Sequence, residues 1–190
     1  KPTSGLVPDH GVVPLSTTLD HVGPLARDIE TLWQAMNTLV GGQFSGAVQP
    51  ATLNGMRIGI WNGADQVELT PAVQRGFSAA ISAIEKAGAQ LITTLPPGYD
   101  YSRSRRAGLL VSEVEGAKEH EITLAGDRPD GMSESFYNLL HWGAKQSSDK
   151  IEAAYEHIRD IHRSAPQVWQ DVDCVIAPTA PQEAFGFGDA

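Results

Sequence analysis

Several side chains have the types needed for covalent or metal chemistry, and their spacing decides what each can do. Ser147-x-x-Lys150 has the bare serine–lysine spacing of an acyl-transfer pair. Hydrolases built on that pair also carry Lys-Thr-Gly and Ser-Asp-Asn, and neither accompanies it here, so Ser147 reads as a helix cap and Lys150 as a surface lysine. The six histidines are His10, His21, His120, His141, His157 and His162. His157 and His162 are five apart rather than the four that stacks two ligands on one helix face. His120-Glu121 has no second histidine at zinc-protease spacing. No metal site is expected. A Gly-x-Ser-x-Gly elbow is absent, and the single cysteine, Cys174, sits in an apolar run beside Val175 and Ile176 as a buried thiol would. What remains is the polar turn Thr17-Thr18-Leu19-Asp20, followed by His21 and then Gly23-Pro24. Asp20 is expected to hold this turn by accepting backbone N–H bonds. His21, a loop histidine beside Asp20, reads from the residues alone as hydrogen-bonding backbone.

The elements that must position these residues can be read from periodicity. A β-compatible run at Val12–Leu15 leads into the turn, and Pro24 is expected to open an amphipathic helix to Val40 with Leu25, Ile29, Leu32, Met36 and Leu39 on one face. Arg27 is expected to brace its start or pair with a carboxylate, and Gly41-Gly42 to end it. Met56–Trp61 reads as a strand closed by an Asn62-Gly63 turn. Thr70-Pro71 reads as a cap and first turn of a helix bearing Val73, Phe77, Ile81 and Ile84, and Gln90–Leu95 as a second strand. This strand–helix–strand unit implies a crossover between parallel strands. It lacks the spaced glycines a dinucleotide needs. Tyr99–Leu124 is expected to be helical, with Arg103, Arg105 and Arg106 facing solvent and pairing with Glu113, Glu115, Glu119 and Glu121. Ser133 or Ser135 caps the next helix. Ser148–Trp169 forms a long one that Pro166 kinks or restarts, Asp173–Ala177 a third strand, and Phe185-Gly186-Phe187-Gly188 a flexible tail. The pattern is helix-rich α/β.

Bulk properties are those of a globular chain of 190 residues with a net charge of −9. That charge argues against nucleic acid or an anionic membrane as the main partner, and no run is long enough to span a bilayer. One cysteine fits a reducing compartment, and a cytoplasmic location is expected. No cofactor is implied.

Two ordered motifs resemble the amidase signature family, serine hydrolases of amide bonds. The first is Lys1-Pro2-Thr3-x-Gly5-x-Val7 with Leu19-Asp20-x-x-Gly23-Pro24-Leu25-x-Arg27-Asp28. The second is the strand and loop Asp173–Pro181. The resemblance runs from Lys1 to about Phe185. It implies one domain with a mixed sheet flanked by helices on both sides, of which residues 1–190 are a single partial domain. It places the family's Ser nucleophile, cis-peptide Ser and Lys upstream of Lys1. The chain is then expected to be inactive alone and to scaffold an enzyme that cleaves the carboxamide C–N bond of a small molecule. It implies that Thr18, Asp20, His21, Gly23 and Arg27 support a loop near the catalytic serines. Trp142 and Thr179, with Tyr137, are implied at the substrate pocket. The alternatives are an amidotransferase subunit, one half of a split amidase, and a non-catalytic interaction module. A partial sheet also implies an open strand edge, met by a second copy or a companion segment.

Overall fold

A computed structural model of the chain describes residues 1–61 and 67–186. Helix α1 is Ile29–Leu39, strand β1 Arg57–Trp61, helix α2 Pro71–Lys86, strand β2 Gln90–Thr94 and helix α3 Tyr101–Glu119. There follow α4, Glu121–Leu124; α5, Glu134–Gly143; α6, Ser148–Ser164; a 3-10 helix, Ala165–Gln170; and strand β3, Cys174–Ile176. The expected Asn62-Gly63 turn and the Phe187-Gly188 tail lie outside the described residues. The chain divides into two compact units, one of Lys1–Pro50 and Gly108–Glu152, the other of Ala51–Ala107 and Ala153–Ala190.

The second unit is built on a three-stranded sheet in the order β2-β1-β3. Both pairings are parallel, with Gly59 opposite Ile92 on one side and Val175 on the other. Glycine is needed there because a Cβ would lie 2.6 Å from Thr94 Cγ2 and 3.1 Å from Val175 Cγ2. Register is pinned at the start of β1. Arg57 N donates to Asp173 Oδ2 at 2.8 Å, Arg57 Nη2 to Asp173 Oδ1 at 2.8 Å, and Asp173 N to the Arg57 carbonyl at 2.8 Å. The Arg57 guanidinium holds the Asp173 carboxyl below its ordinary range. The crossover helix α2 starts as the sequence implies: Pro71 is in its first turn and the Thr70 side chain accepts from Val73 N. Ile58, Ala89, Ala107, Ala154, Val168 and Val172 are the buried apolar residues of this unit. Pro166 restarts the chain as the 3-10 helix after α6 ends at Ser164.

The first unit buries Val7, Val40, Val111, Ala117 and Leu140. Helix α5 is capped by Ser133, whose side chain accepts from Phe136 N, and it ends against α3 at Gly143. A Cβ on Gly143 would overlap the Glu113 carbonyl, so only glycine permits this approach. Three expectations are corrected here. Val12–Leu15 is not a strand: Val12 N closes a turn on the Asp9 carbonyl at 3.0 Å, and Val12, Val13 and Leu15 are exposed. Helix α1 starts at Ile29 rather than Pro24, because Asp28 is the better cap: its carboxylate accepts from Thr31 N at 2.7 Å and Thr31 Oγ1 at 3.0 Å. The helix expected over Tyr99–Leu124 breaks at His120 into α3 and α4. Gly41 and Gly42 do end α1, in the left-handed region with φ of 69° and 77°.

Candidate functional site

The turn that precedes α1 is held from outside itself by one buried carboxylate. Glu115, on α3, is only 8% exposed, and Ser16 is 1% exposed. Glu115 Oε2 accepts from Ser16 Oγ at 2.5 Å and Thr18 N at 2.9 Å, while Oε1 accepts from Thr18 Oγ1 at 2.5 Å. Burying a carboxylate is costly unless its lone pairs are met, and here hydroxyl and amide donors meet them. The next residue on α3 is Gly116, where a Cβ would lie 2.7 Å from Leu15 Cδ1 and 2.8 Å from Leu140 Cδ2. One turn on, His120 Nε2 bonds the Pro14 carbonyl at 2.9 Å. Residues 14–18 are thus fastened along one side of α3.

Asp20 closes the turn from within, as its type implies. Its Oδ2 accepts from Leu15 N at 2.8 Å and Ser16 N at 3.0 Å, and its own N–H donates to the Ser16 carbonyl at 2.8 Å. His21 follows with its ring fixed by one backbone bond, Nδ1 to the Leu19 carbonyl at 3.0 Å. A carbonyl only accepts, so Nδ1 carries the hydrogen and Nε2 of the neutral ring is left as an acceptor. Asp20 and His21 together border two cavities in this unit. One, of about 410 Å³, is also lined by Asp9, His10 and Pro14, and the other, of about 210 Å³, by Thr3, Ser4 and Thr17. Gly23 lies against the start of the chain: a Cβ there would sit 2.8 Å from Pro2 Cδ. This contact ties the Lys-Pro-Thr end to the Gly-Pro end of the turn.

Thr18, Asp20, His21 and Gly23 are therefore brought together. Arg27 stands apart from that network, exposed; of the two roles expected for it, bracing the helix start or pairing with a carboxylate, the second has no partner among the described residues. Trp142 lies on α5 of the same unit, about half exposed. Tyr137 donates its hydroxyl to the Gly126 carbonyl at 2.9 Å and packs edge-to-face on His141, with ring centroids 4.4 Å apart. Thr179 belongs to the other unit, exposed in the loop after β3. Ser147 sits one residue ahead of α6, with its carbonyl accepting from Ile151 N at 3.1 Å, as a cap residue would.

Two groups are not evident from sequence reasoning. Glu115 reads there as part of a solvated acidic face, but it is buried, and burial also raises the pKa of half-buried Glu113. Only Glu119 and Glu121 of that set are exposed. The available signal is that Glu115 lies four residues after Val111, on the face of α3 that packs inward. The second group is a serine–base pair: Ser104 Oγ lies 3.0 Å from His157 Nε2. It is not arranged for acyl transfer. His157 is 3% exposed, and Ser104 sits within α3, its N–H already donated to the Asp100 carbonyl at 2.9 Å. Amides engaged in a helix ladder cannot form an oxyanion hole beside the hydroxyl. Ser16 fails for a related reason, since a hydroxyl with 1% exposure is out of reach of a substrate. No group of three or more His, Cys, Asp or Glu side chains among the described residues could hold a metal ion. None of the described helices is long and apolar enough to cross a membrane.

The family model described as Amidase matches residues 1–190. The chain belongs to the amidase family. Among curated proteins it is 27% identical over 184 residues to 2-amino-5-chloromuconic acid deaminase of Comamonas testosteroni, covering 95% of this chain and 39% of that protein. It is 26% identical to the A-subunit of glutamyl-tRNA(Gln) amidotransferase from an Exiguobacterium species, covering all of this chain and 46% of the relative. It is also 26% identical to an amidase of Pseudomonas putida, covering 42% of it. A crystal structure of an amidase superposes with a TM-score of 0.82 at 21% identity, over 99% of this chain and 42% of that one. The A-subunit of the Thermotoga maritima glutamyl-tRNA(Gln) amidotransferase gives a TM-score of 0.71 at 18% identity over 44% of its chain. The α/β fold is thus that of the amidase signature enzymes, and the chain spans less than half the length of these relatives.

Proposed function

We propose that residues 1–190 scaffold the acyl-transfer site of an amide hydrolase whose nucleophilic serine and neutral lysine base are supplied from outside these residues. The observation that carries this reading is the use of Glu115. A buried carboxylate with both oxygens committed to Ser16 and Thr18 fixes a turn whose one serine is 1% exposed. Such a turn is suited to supporting a neighbour's chemistry. In this reading Thr18, Asp20 and Gly23 set the turn, His21 presents Nε2 to a substrate or to a catalytic group, and Arg27 is left available to a carboxylate. Trp142 and Thr179 are each assigned to contact with a small carboxamide in the complete enzyme, and no cofactor is needed. Each edge strand, β2 and β3, pairs only with β1 among the described strands. A companion segment or a second copy of the chain would complete that sheet. The expected setting is the cytoplasm.

A second reading, the hydrolysing component of an amidotransferase, is favoured by the several relatives that carry that name. The net charge of −9 on residues 1–190 gives no sign of an RNA surface, so in this reading a partner binds the nucleic acid. The test is ammonia release from a panel of small carboxamides by the complete encoded product and by residues 1–190 alone. Release by the former and none by the latter is expected. Release by residues 1–190 above the buffer rate overturns the reading.

A further inference from the structure

The unit built on the sheet has a cavity of its own, and topology explains where it lies. With the order β2-β1-β3, the chain leaves β1 to one side for β2 and later returns to the other side as β3. The loop that leaves the carboxyl end of β3 comes back to the connection that leaves β1, and parallel sheets bind ligands in crevices outside the carboxyl ends of their strands. A cavity of about 160 Å³ occupies that position. Trp61, the last residue of β1, lines it together with Thr179 and Pro181 after β3, Tyr99 and Tyr101 after β2, and Leu69.

The walls are fixed independently of any ligand. Trp61 and Tyr99 pack edge-to-face with centroids 5.0 Å apart and planes at 79°. The Pro181 carbonyl accepts from Thr70 N at 2.9 Å, and Thr70 Oγ1 donates to Glu183 Oε2 at 2.5 Å, which ties the loop after β3 to the start of α2. Among the described lining residues none is charged. The polar side-chain groups are the Thr179 hydroxyl and the two tyrosine hydroxyls, and burial raises the pKa of the Tyr99 phenol, which stays a neutral donor. An engineered apolar cavity of roughly 150 Å³ binds benzene, so this volume suits one six-membered ring.

We propose that this crevice binds a small neutral aromatic group with one hydrogen-bonding tip, of the benzamide or phenol kind, its ring against Trp61 and Tyr99 and its tip at Thr179 Oγ1. The site rests on this unit alone. The proposal rests on the Thr179 contact of the amide-hydrolysis reading and deepens it: a failure here removes that contact, while ammonia release by the complete encoded product decides the hydrolysis itself. Indole N–H resonances of the ¹⁵N-labelled chain, with Trp61→Phe identifying the Trp61 signal, provide the readout during titration with benzamide. Saturable movement of the Trp61 signal is expected, with those of Trp33 and Trp142 unmoved. Ala180→Phe, which fills the crevice, is expected to weaken binding at least about tenfold, the loss of roughly 1.4 kcal/mol. Thr179→Val is expected to weaken benzamide and leave toluene unchanged. The proposal is overturned if Trp61 does not respond, or if acetamide or tetramethylammonium shifts it at lower concentration than benzamide. An unchanged benzamide affinity in Thr179→Val overturns it even if Ala180→Phe does not fold.

Discussion

Replacing Glu115 tests how the turn at residues 14–21 is held. Glu115→Ala removes the acceptor from Ser16 Oγ, Thr18 N and Thr18 Oγ1 together. Ser16 is 1% exposed, so its O–H is left without an acceptor in a site water reaches poorly, although Oγ still accepts from Leu19 N at 3.1 Å. An unsatisfied buried donor costs about 1–3 kcal/mol. Thr18 is exposed and recovers part of its loss from water. The sum is roughly 3–4 kcal/mol, a large share of the 5–15 kcal/mol typical of a domain. Glu115→Gln separates charge from shape. The amide oxygen can accept from Ser16 Oγ and Thr18 N while its NH₂ donates to Thr18 Oγ1, so all three contacts persist without charge assistance. Its cost is expected near 1 kcal/mol. Amide hydrogen exchange at Leu15, Ser16, Thr18 and Asp20, followed with urea unfolding, distinguishes the variants. Protection should fall by about two orders of magnitude in Glu115→Ala and less than tenfold in Glu115→Gln. Equal protection in both variants, or none lost in Glu115→Ala, would refute the clamp.

Further outcomes follow from the same contacts. Asp173 has its carboxyl held low by Arg57, so its contribution is present above the unfolded carboxylate pKa and lost as pH falls through the lower native one. Acid unfolding of Asp173→Asn should therefore lack that limb, read as a flatter stability profile below about pH 4. Gly59→Ala places a methyl 2.6 Å from Thr94 Cγ2, and side chains must shift at about 1–3 kcal/mol by urea unfolding. Gly143→Ala meets the Glu113 carbonyl instead and should cost more than Gly59→Ala, because backbone yields less than a side chain.

Signals that act within a few residues are legible in the sequence. Thr70-Pro71 marks the start of α2, Gly41-Gly42 the end of α1, and Ser133 the cap of α5, because Thr70 and Ser133 each accept from an amide three residues on and Gly41 and Gly42 donate to carbonyls three and five residues back. Competing local signals mislead at α1. Pro24 is a good first helical residue, but the Asp28 carboxylate reaches Thr31 N, and the helix waits for it. The apolar stripe on α1 is real, yet Leu25 and Ile29 remain exposed and α1 buries none of its residues. A period of 3.6 says which face is apolar, not what covers it. Asp20 is legible because its bonds are to its own turn. Glu115 is not, because its partners lie 97 and 99 residues away in sequence. A glutamate beside other glutamates reads as solvated until the fold brings hydroxyls to it.

Labelling of residues 1–190 by a fluorophosphonate, read by intact mass, tests the central claim most directly. The chain carries serines at many positions and, among the described residues, the serine–histidine pair Ser104–His157, so an active-site-directed reagent has candidates to choose from. No adduct is expected, in the chain or in Ser104→Ala, while the complete encoded product takes up one. A stoichiometric adduct on any serine of residues 1–190 would contradict the account, and one abolished by Ser104→Ala would place the nucleophile on α3.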